Sequence, residues 1–166
     1  MARYCRASAE QAMNKPGIMV LGIGNPLCSD DGIGVRIAAE MQGMNKYKGV
    51  RIVDGGSAPD LFVLLDSDVH KLIVVDALRG GGRPGDIYRL DLREENISDG
   101  PAASLHGMGM LDSLKLMSQL GQQPPQVTVI GIEPADVSHG RQLSPTIEAM
   151  VPAIIGAVER EFGQMD

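Results

Sequence analysis

Side chains that could hold a divalent metal ion lie next to apolar segments of this sequence. Asp30 and Asp31 are in a glycine-rich turn between the apolar run Ile18–Ile23 and a helical pattern. Asp76 ends the apolar run KLIVVD, and His106 precedes another helical pattern in the segment SLHG. Two carboxylates and one imidazole suit Ni, Zn, Mn or Fe(II), and they leave coordination positions open for water or a substrate.

The two adjacent acids of the first turn are expected to have different roles. An Asp at a helix start can cap free backbone N–H groups, and only one of two neighbours can do so. We expect Asp30 to face the backbone and Asp31 to face the cleft. The opposite assignment remains open, so Asp30 is a reserve candidate for the metal ligand. Asp76 follows four apolar residues, where a carboxylate must be hydrogen-bonded, paired or bound to a cation.

Four other residues compete for a place in such a site. Asp54 ends the second strand and could orient a metal ligand, although an Asp before two glycines also forms turns. His139, in the loop after the last strand, is the reserve imidazole ligand. His70 precedes the third strand and therefore belongs to the opposite edge of the sheet. Cys28 is close to the acids, but a small cysteine is more often buried filler than a metal ligand.

Strand and helix patterns alternate along the chain and predict a three-layer α/β domain. Strands are predicted at 17–23, 50–53, 71–76, 86–91 and 126–132, and helices at 31–44, 59–65, 110–121 and from 144 onwards. Right-handed crossovers place the second and third strands on opposite sides of the first. This arrangement creates a switch point between strands one and three, where Asp31 and Asp76 should meet.

Composition narrows the class of protein. A chain of 166 residues that is 43% hydrophobic can bury one core. Its net charge of −6 argues against a nucleic-acid partner, and no apolar run approaches the roughly 20 residues that span a bilayer. The absence of a signal-peptide pattern and the count of 2 cysteines favour the cytoplasm. We expect a poorly ordered extension at 1–16 and a single domain at 17–166.

A dinucleotide site is the alternative suggested by Gly22 and Gly24 after the first strand. Leu27 holds the position of the third fingerprint glycine. Two acids would also lie where a pyrophosphate binds, and like charges repel by several kcal/mol, on the order that Coulomb's law gives at low dielectric. We therefore expect no nucleotide cofactor, and a dinucleotide-dependent oxidoreductase is the less favoured reading. No G-x-S-x-G nucleophile elbow is present either.

Five separated segments resemble the hydrogenase maturation endopeptidases. They are GIGNPLCSDDGIGVR, VDGGSAPDLFVLL, KLIVVDALRGGGRPGDIYRLD, SLHGMGMLD and VIGIEPADVSHGRQLSP, in this order between Gly17 and Phe162. The resemblance implies a phosphorylase/hydrolase-like sandwich whose mixed, mostly parallel sheet has about five strands, with DIYRLD antiparallel. It also implies a peptide hydrolase that removes the C-terminal peptide of a hydrogenase large-subunit precursor after nickel insertion.

The resemblance further implies a site. The family's metal-contacting residues correspond to Asp31, Asp76 and His106; the first acid is Glu in some members and Asp here. Nickel is expected to arrive with the substrate and to serve in recognition. The catalytic groups stay unassigned, with Asp31 and Asp76 as candidates. The main alternative is a non-catalytic nickel-binding protein or chaperone on the same scaffold.

Overall fold

The computed structural model describes residues 17–92 and 107–163, and in them strands alternate with helices except where two strands follow one another. The strands are β1 (Ile18–Ile23), β2 (Val50–Gly56), β3 (Lys71–Ala77), β4 (Ile87–Leu92) and β5 (Gln126–Ile132), and the helices are α1 (Ile33–Gly43), α2 (Leu61–Leu64), α3 (Gly107–Gln119) and α4 (Pro145–Phe162). Every predicted element is present, with its ends shifted by a few residues. The expected extension at 1–16 and His106 lie outside the described residues.

The five strands form one mixed sheet in the order β2-β1-β3-β5-β4. β1 is parallel to β2 and β3, and β3 is parallel to β5, whereas β4 runs antiparallel to β5. The fold class is therefore confirmed, including the antiparallel edge strand. Because β2 and β3 flank β1, the predicted switch point between β1 and β3 is also present.

Side chains alternate between the two faces of the sheet and build a core on each. On one face, Val20 and Ile73 pack with residues of α1 and α4, such as Ile37 and Ile154. On the other face, a second cluster contains residues of β1, β3, β5, α2 and α3, namely Met19, Leu21, Leu72, Val74, Val129, Leu61, Met110 and Leu114. The sheet is therefore covered on both sides, as the continuously apolar strands β1 and β3 require.

A buried charge cluster lies at the amino edge of the sheet, where β3 begins. Lys71 and Glu161 are only 1% and 2% exposed. The Lys71 ammonium donates to the Glu161 backbone carbonyl at 2.6 Å and lies 3.6 Å from its carboxylate. Arg89 donates to both carboxylate oxygens of Glu161, at 2.7 and 3.1 Å. This cluster fastens the end of α4 to the sheet, far along the strands from the candidate site.

In the described part of the chain, no helix combines the length and the apolar character needed to cross a membrane.

Candidate functional site

The turn that carries the paired acids is held against the carboxyl ends of β1 and β3 by a close helix–sheet contact. A methyl group on Gly34 would collide with the carbonyl oxygens of Val75 and Ile23. Only a glycine lets α1 start this close to the strands. Asp31 precedes this contact by three residues, and Asp76 directly follows Val75. The structure therefore places both predicted acids at the same edge of the sheet, in adjoining segments.

Asp31 lies in a 3-10 turn, Ser29–Gly32, that precedes α1. The helix was predicted to begin at residue 31, but its regular part begins two residues later because these four residues wind more tightly. The Asp31 side chain is half-buried. Its Oδ2 atom accepts a hydrogen bond from the backbone N–H of Asn25 at 3.0 Å. This contact fixes the carboxylate within the glycine-rich turn.

Asp76 is buried, with 2% of its surface exposed, near the end of β3. It lies opposite Gly131 of β5, where no side chain intervenes. By strand alternation it shares the face of Leu72 and Val74, which is the face that α3 covers. Since α3 begins at Gly107, the chain enters this face directly after His106. The position of the imidazole itself lies outside the described residues.

Asp30 faces the backbone, as predicted, but not the backbone of its own helix. Neither the 3-10 turn nor α1 has a side-chain cap, so the expected capping role is wrong. Its carboxylate is fully buried and accepts from a distant loop instead. The donors are the N–H groups of Ala135 at 2.9 Å and Asp136 at 2.8 Å, and the N–H and hydroxyl of Ser144 at 2.7 and 2.9 Å.

Backbone hydrogen bonds join the same two segments, the turn 24–32 and the loop 133–144. Ser29 N–H donates to the Gly140 carbonyl at 2.8 Å, and Asp30 N–H donates to the Asp136 carbonyl at 2.9 Å. In the opposite direction, Gly140 N–H donates to the Leu27 carbonyl at 3.0 Å. The turn and the loop are therefore locked together along several residues. No sequence pattern indicates this pairing, because it joins irregular segments more than 100 positions apart.

Glu133 is a further buried carboxylate that the sequence reasoning missed. Its carboxylate accepts from Gly80 N–H at 2.7 Å, Gly82 N–H at 3.3 Å and the Tyr88 hydroxyl at 2.7 Å. Burial would raise the pKa of Glu133, but the Tyr88 hydroxyl and the glycine N–H groups outweigh it and hold the pKa below its ordinary value. This carboxylate therefore anchors the glycine-rich loop that follows β3 and Asp76.

The structure also places the four remaining candidates. The exposed Asp54 carboxylate accepts from Gly56 N–H at 2.9 Å, which is the contact of a turn-forming Asp. His139 is exposed, and its Nδ1 lies 3.3 Å from the Leu27 carbonyl oxygen. Cys28 is a free thiol whose sulfur lies 3.4 Å from the side-chain nitrogen of Asn25. His70 directly precedes β3, at the opposite edge from Asp76, as predicted.

Residues 17–92 and 107–163 alone contain no cluster of three or more His, Cys, Asp or Glu side chains that could hold a metal ion. A cleft of about 500 Å³ adjoins the turn. Ser29 and Gly32 line one side of this cleft, and Arg141 and Leu143 of the loop 133–144 line another. The rest of the lining comes from α1 and α4, with Val35, Arg36 and Ala39 of α1 and Glu148 of α4.

The chain is similar to hydrogenase maturation proteases in both sequence and fold. The family model described as hydrogenase maturation protease matches residues 35–161. The hydrogenase 2 maturation protease of Escherichia coli K12 is 34% identical over 158 residues, which cover 88% of this chain and 92% of that protein. The chain is likewise similar to the solved structure of the E. coli hydrogenase maturating endopeptidase HybD, with a TM-score of 0.74, 32% identity and coverage of 88% and 93%. A hydrogenase 2 maturation peptidase from a Thaumarchaeota archaeon gives a TM-score of 0.68, 30% identity and coverage of 89% and 99%.

Proposed function

The chain belongs to the hydrogenase maturation protease family, and on that basis we propose that it removes the C-terminal peptide from the large-subunit precursor of a nickel-containing hydrogenase. The observation that carries this proposal is the similarity itself, which extends over 88% of the chain in both sequence and fold. The family model's match, residues 35–161, includes the strand with Asp76.

Nickel is proposed to enter the site as part of the substrate. Asp31, Asp76 and His106 would contact it, because two carboxylates and an imidazole suit this borderline cation and leave positions for groups of the precursor. The burial of Asp76 supports the assignment, since a carboxylate in an apolar environment gains most from a cation. The two acids are also the candidates for an aspartyl-type reaction, in which a carboxylate accepts the proton of the attacking water.

The setting of the reaction is also part of the proposal. A precursor chain that has not yet closed its metal site must offer an extended C-terminal segment. The cleft beside the turn is proposed to receive such a segment; Ser29 and Gly32 of the turn line it together with residues of α1 and α4. The free thiol of Cys28 supports a reducing compartment such as the cytoplasm.

The test is to incubate the purified chain with the precursor in its nickel-loaded and nickel-free forms and to weigh the products by mass spectrometry. We expect the nickel-loaded precursor alone to be shortened at its C-terminus. Asp76→Asn should abolish the cleavage, whereas Asp66→Asn, which changes an exposed Asp that pairs with Arg51 ahead of β3, should retain most of it. A chain that binds the loaded precursor without shortening it would instead be a nickel carrier or chaperone.

A further inference from the structure

Asp30 is placed where it can control the geometry of its neighbour Asp31. Its side chain is fully buried, and all four of its hydrogen-bond donors belong to residues 135–144. A buried carboxylate is tolerated only when such donors replace its lost hydration. The buried Asp30 carboxylate therefore depends on the loop 133–144 for its hydrogen-bond donors. These donors in turn depend on the carboxylate for an acceptor.

We infer that Asp30 is a positioning residue of the proposed protease, one that holds Asp31 in place by clamping the turn 24–32 to the loop 133–144. This inference rests on the proposed function. The Asp30 backbone N–H also bonds to the loop, at 2.9 Å from the Asp136 carbonyl. Asp31 is the next residue, so its backbone cannot shift without breaking these contacts.

The clamp also lies beside the cleft. Ser29 and Gly32 border the cleft from the turn, and Arg141 and Leu143 border it from the loop. Ser144, which donates twice to Asp30, directly follows this wall. The Asp30 carboxylate therefore ties Ser144 of the loop to the turn that carries Asp31, whereas α1 and α4 supply the rest of the cleft lining. Small displacements of positioned groups cost large factors in rate.

The Asp30→Asn variant tests the clamp with little change in volume. An amide offers one oxygen and a donating NH2 group, so it cannot accept from donors on both sides as the carboxylate does. Glu161→Gln is the matched control, because Glu161 is a 2% exposed carboxylate that accepts several hydrogen bonds at the opposite edge of the sheet. Both variants are assayed at a temperature at which circular dichroism shows them folded.

Two measurements then separate positioning from general stability. Amide hydrogen exchange should increase in segments 24–32 and 133–144 of Asp30→Asn and not in those segments of Glu161→Gln. The kcat/KM for the nickel-loaded precursor should fall by about tenfold or more in Asp30→Asn and by less than about threefold in the control. Unchanged exchange in the turn, or equal losses of kcat/KM in both variants, would overturn the inference.

A third arm asks whether Asp30 acts through Asp31. The affinity of the nickel-loaded precursor is measured for Asp31→Ala and for the double variant Asp30→Asn/Asp31→Ala. If Asp30 acts by placing Asp31, the second change should weaken binding by less than about twofold once Asp31 is gone. A further loss of affinity as large as the loss that Asp30→Asn causes alone would assign Asp30 another role. A wild-type chain that leaves the precursor intact would refute the protease function, while the exchange measurements would still decide whether the clamp exists.

Discussion

The hydroxyl of Tyr88 donates a hydrogen bond to the buried carboxylate of Glu133 at 2.7 Å, across the antiparallel pair of β4 and β5. The same carboxylate accepts from the backbone of Gly80 and Gly82. The N–H groups of the loop after β3 therefore surround the Glu133 carboxylate. Nests of backbone N–H groups bind external anions in the same way. Because this loop starts two residues after Asp76, Glu133 stabilises the segment that leaves the candidate site.

The first prediction concerns pH. The pKa of Glu133 lies below its ordinary value of 4.5 in the folded chain, so its ionised form stabilises the fold. This contribution is fully present above about pH 4.5, the unfolded pKa, and is lost as the pH falls through the lower folded pKa. Glu133→Gln should lower the free energy of unfolding by about 1–3 kcal/mol at pH 7. In urea titrations, its deficit relative to wild type should shrink as the pH is lowered from 6 towards 3.5; a constant deficit would contradict the assignment.

The second prediction concerns the contact that places the turn. Gly34→Ala should destabilise the chain by about 1–3 kcal/mol, because the obstructing atoms are backbone and cannot rotate away. It should also reduce processing, since α1 would have to move together with Asp31. Gly43→Ala in the last turn of the same helix is the control, because a methyl group there meets nothing within 4 Å. The control should be neutral or gain up to about 1 kcal/mol. Thermal unfolding and a processing assay of both variants measure the contrast.

The third prediction uses the charge cluster at the amino edge. Glu161→Ala should cost about 3–5 kcal/mol, because it leaves the buried ammonium of Lys71 without the carboxylate. Lys71→Met should cost less, since Arg89 continues to neutralise Glu161 and the methionine fills a similar volume. Urea unfolding gives both values. The interpretation fails if Lys71→Met is the more destabilising of the two.

The fold was largely predictable from the sequence, because β1, β3 and β5 are long apolar runs between clear helical patterns. The crossover rule then fixed which strands flank β1. The candidate site was predictable only in part. That Asp31 and Asp76 lie at the same sheet edge was predictable, because strand ends mark the ligand-binding edge of such a sheet; their proposed role as metal ligands stays a prediction. The hydrogen-bond partners of Asp30 and Glu133 were not predictable, because most of them are backbone N–H groups of irregular loops, and no sequence pattern identifies them.

The fourth prediction decides which imidazole completes the proposed site. His106 directly precedes α3, the helix that covers the face of Asp76, whereas His139 is exposed and lies beside the Leu27 carbonyl. His106→Ala should therefore abolish processing of the nickel-loaded precursor, and His139→Ala should retain most of it. Circular dichroism should show both variants folded, since neither change removes a residue of the described core. If His139→Ala were inactive and His106→Ala active, the ligand would come from the loop 133–144, and the Asp30 clamp would then hold a metal ligand on each of the two segments that it joins.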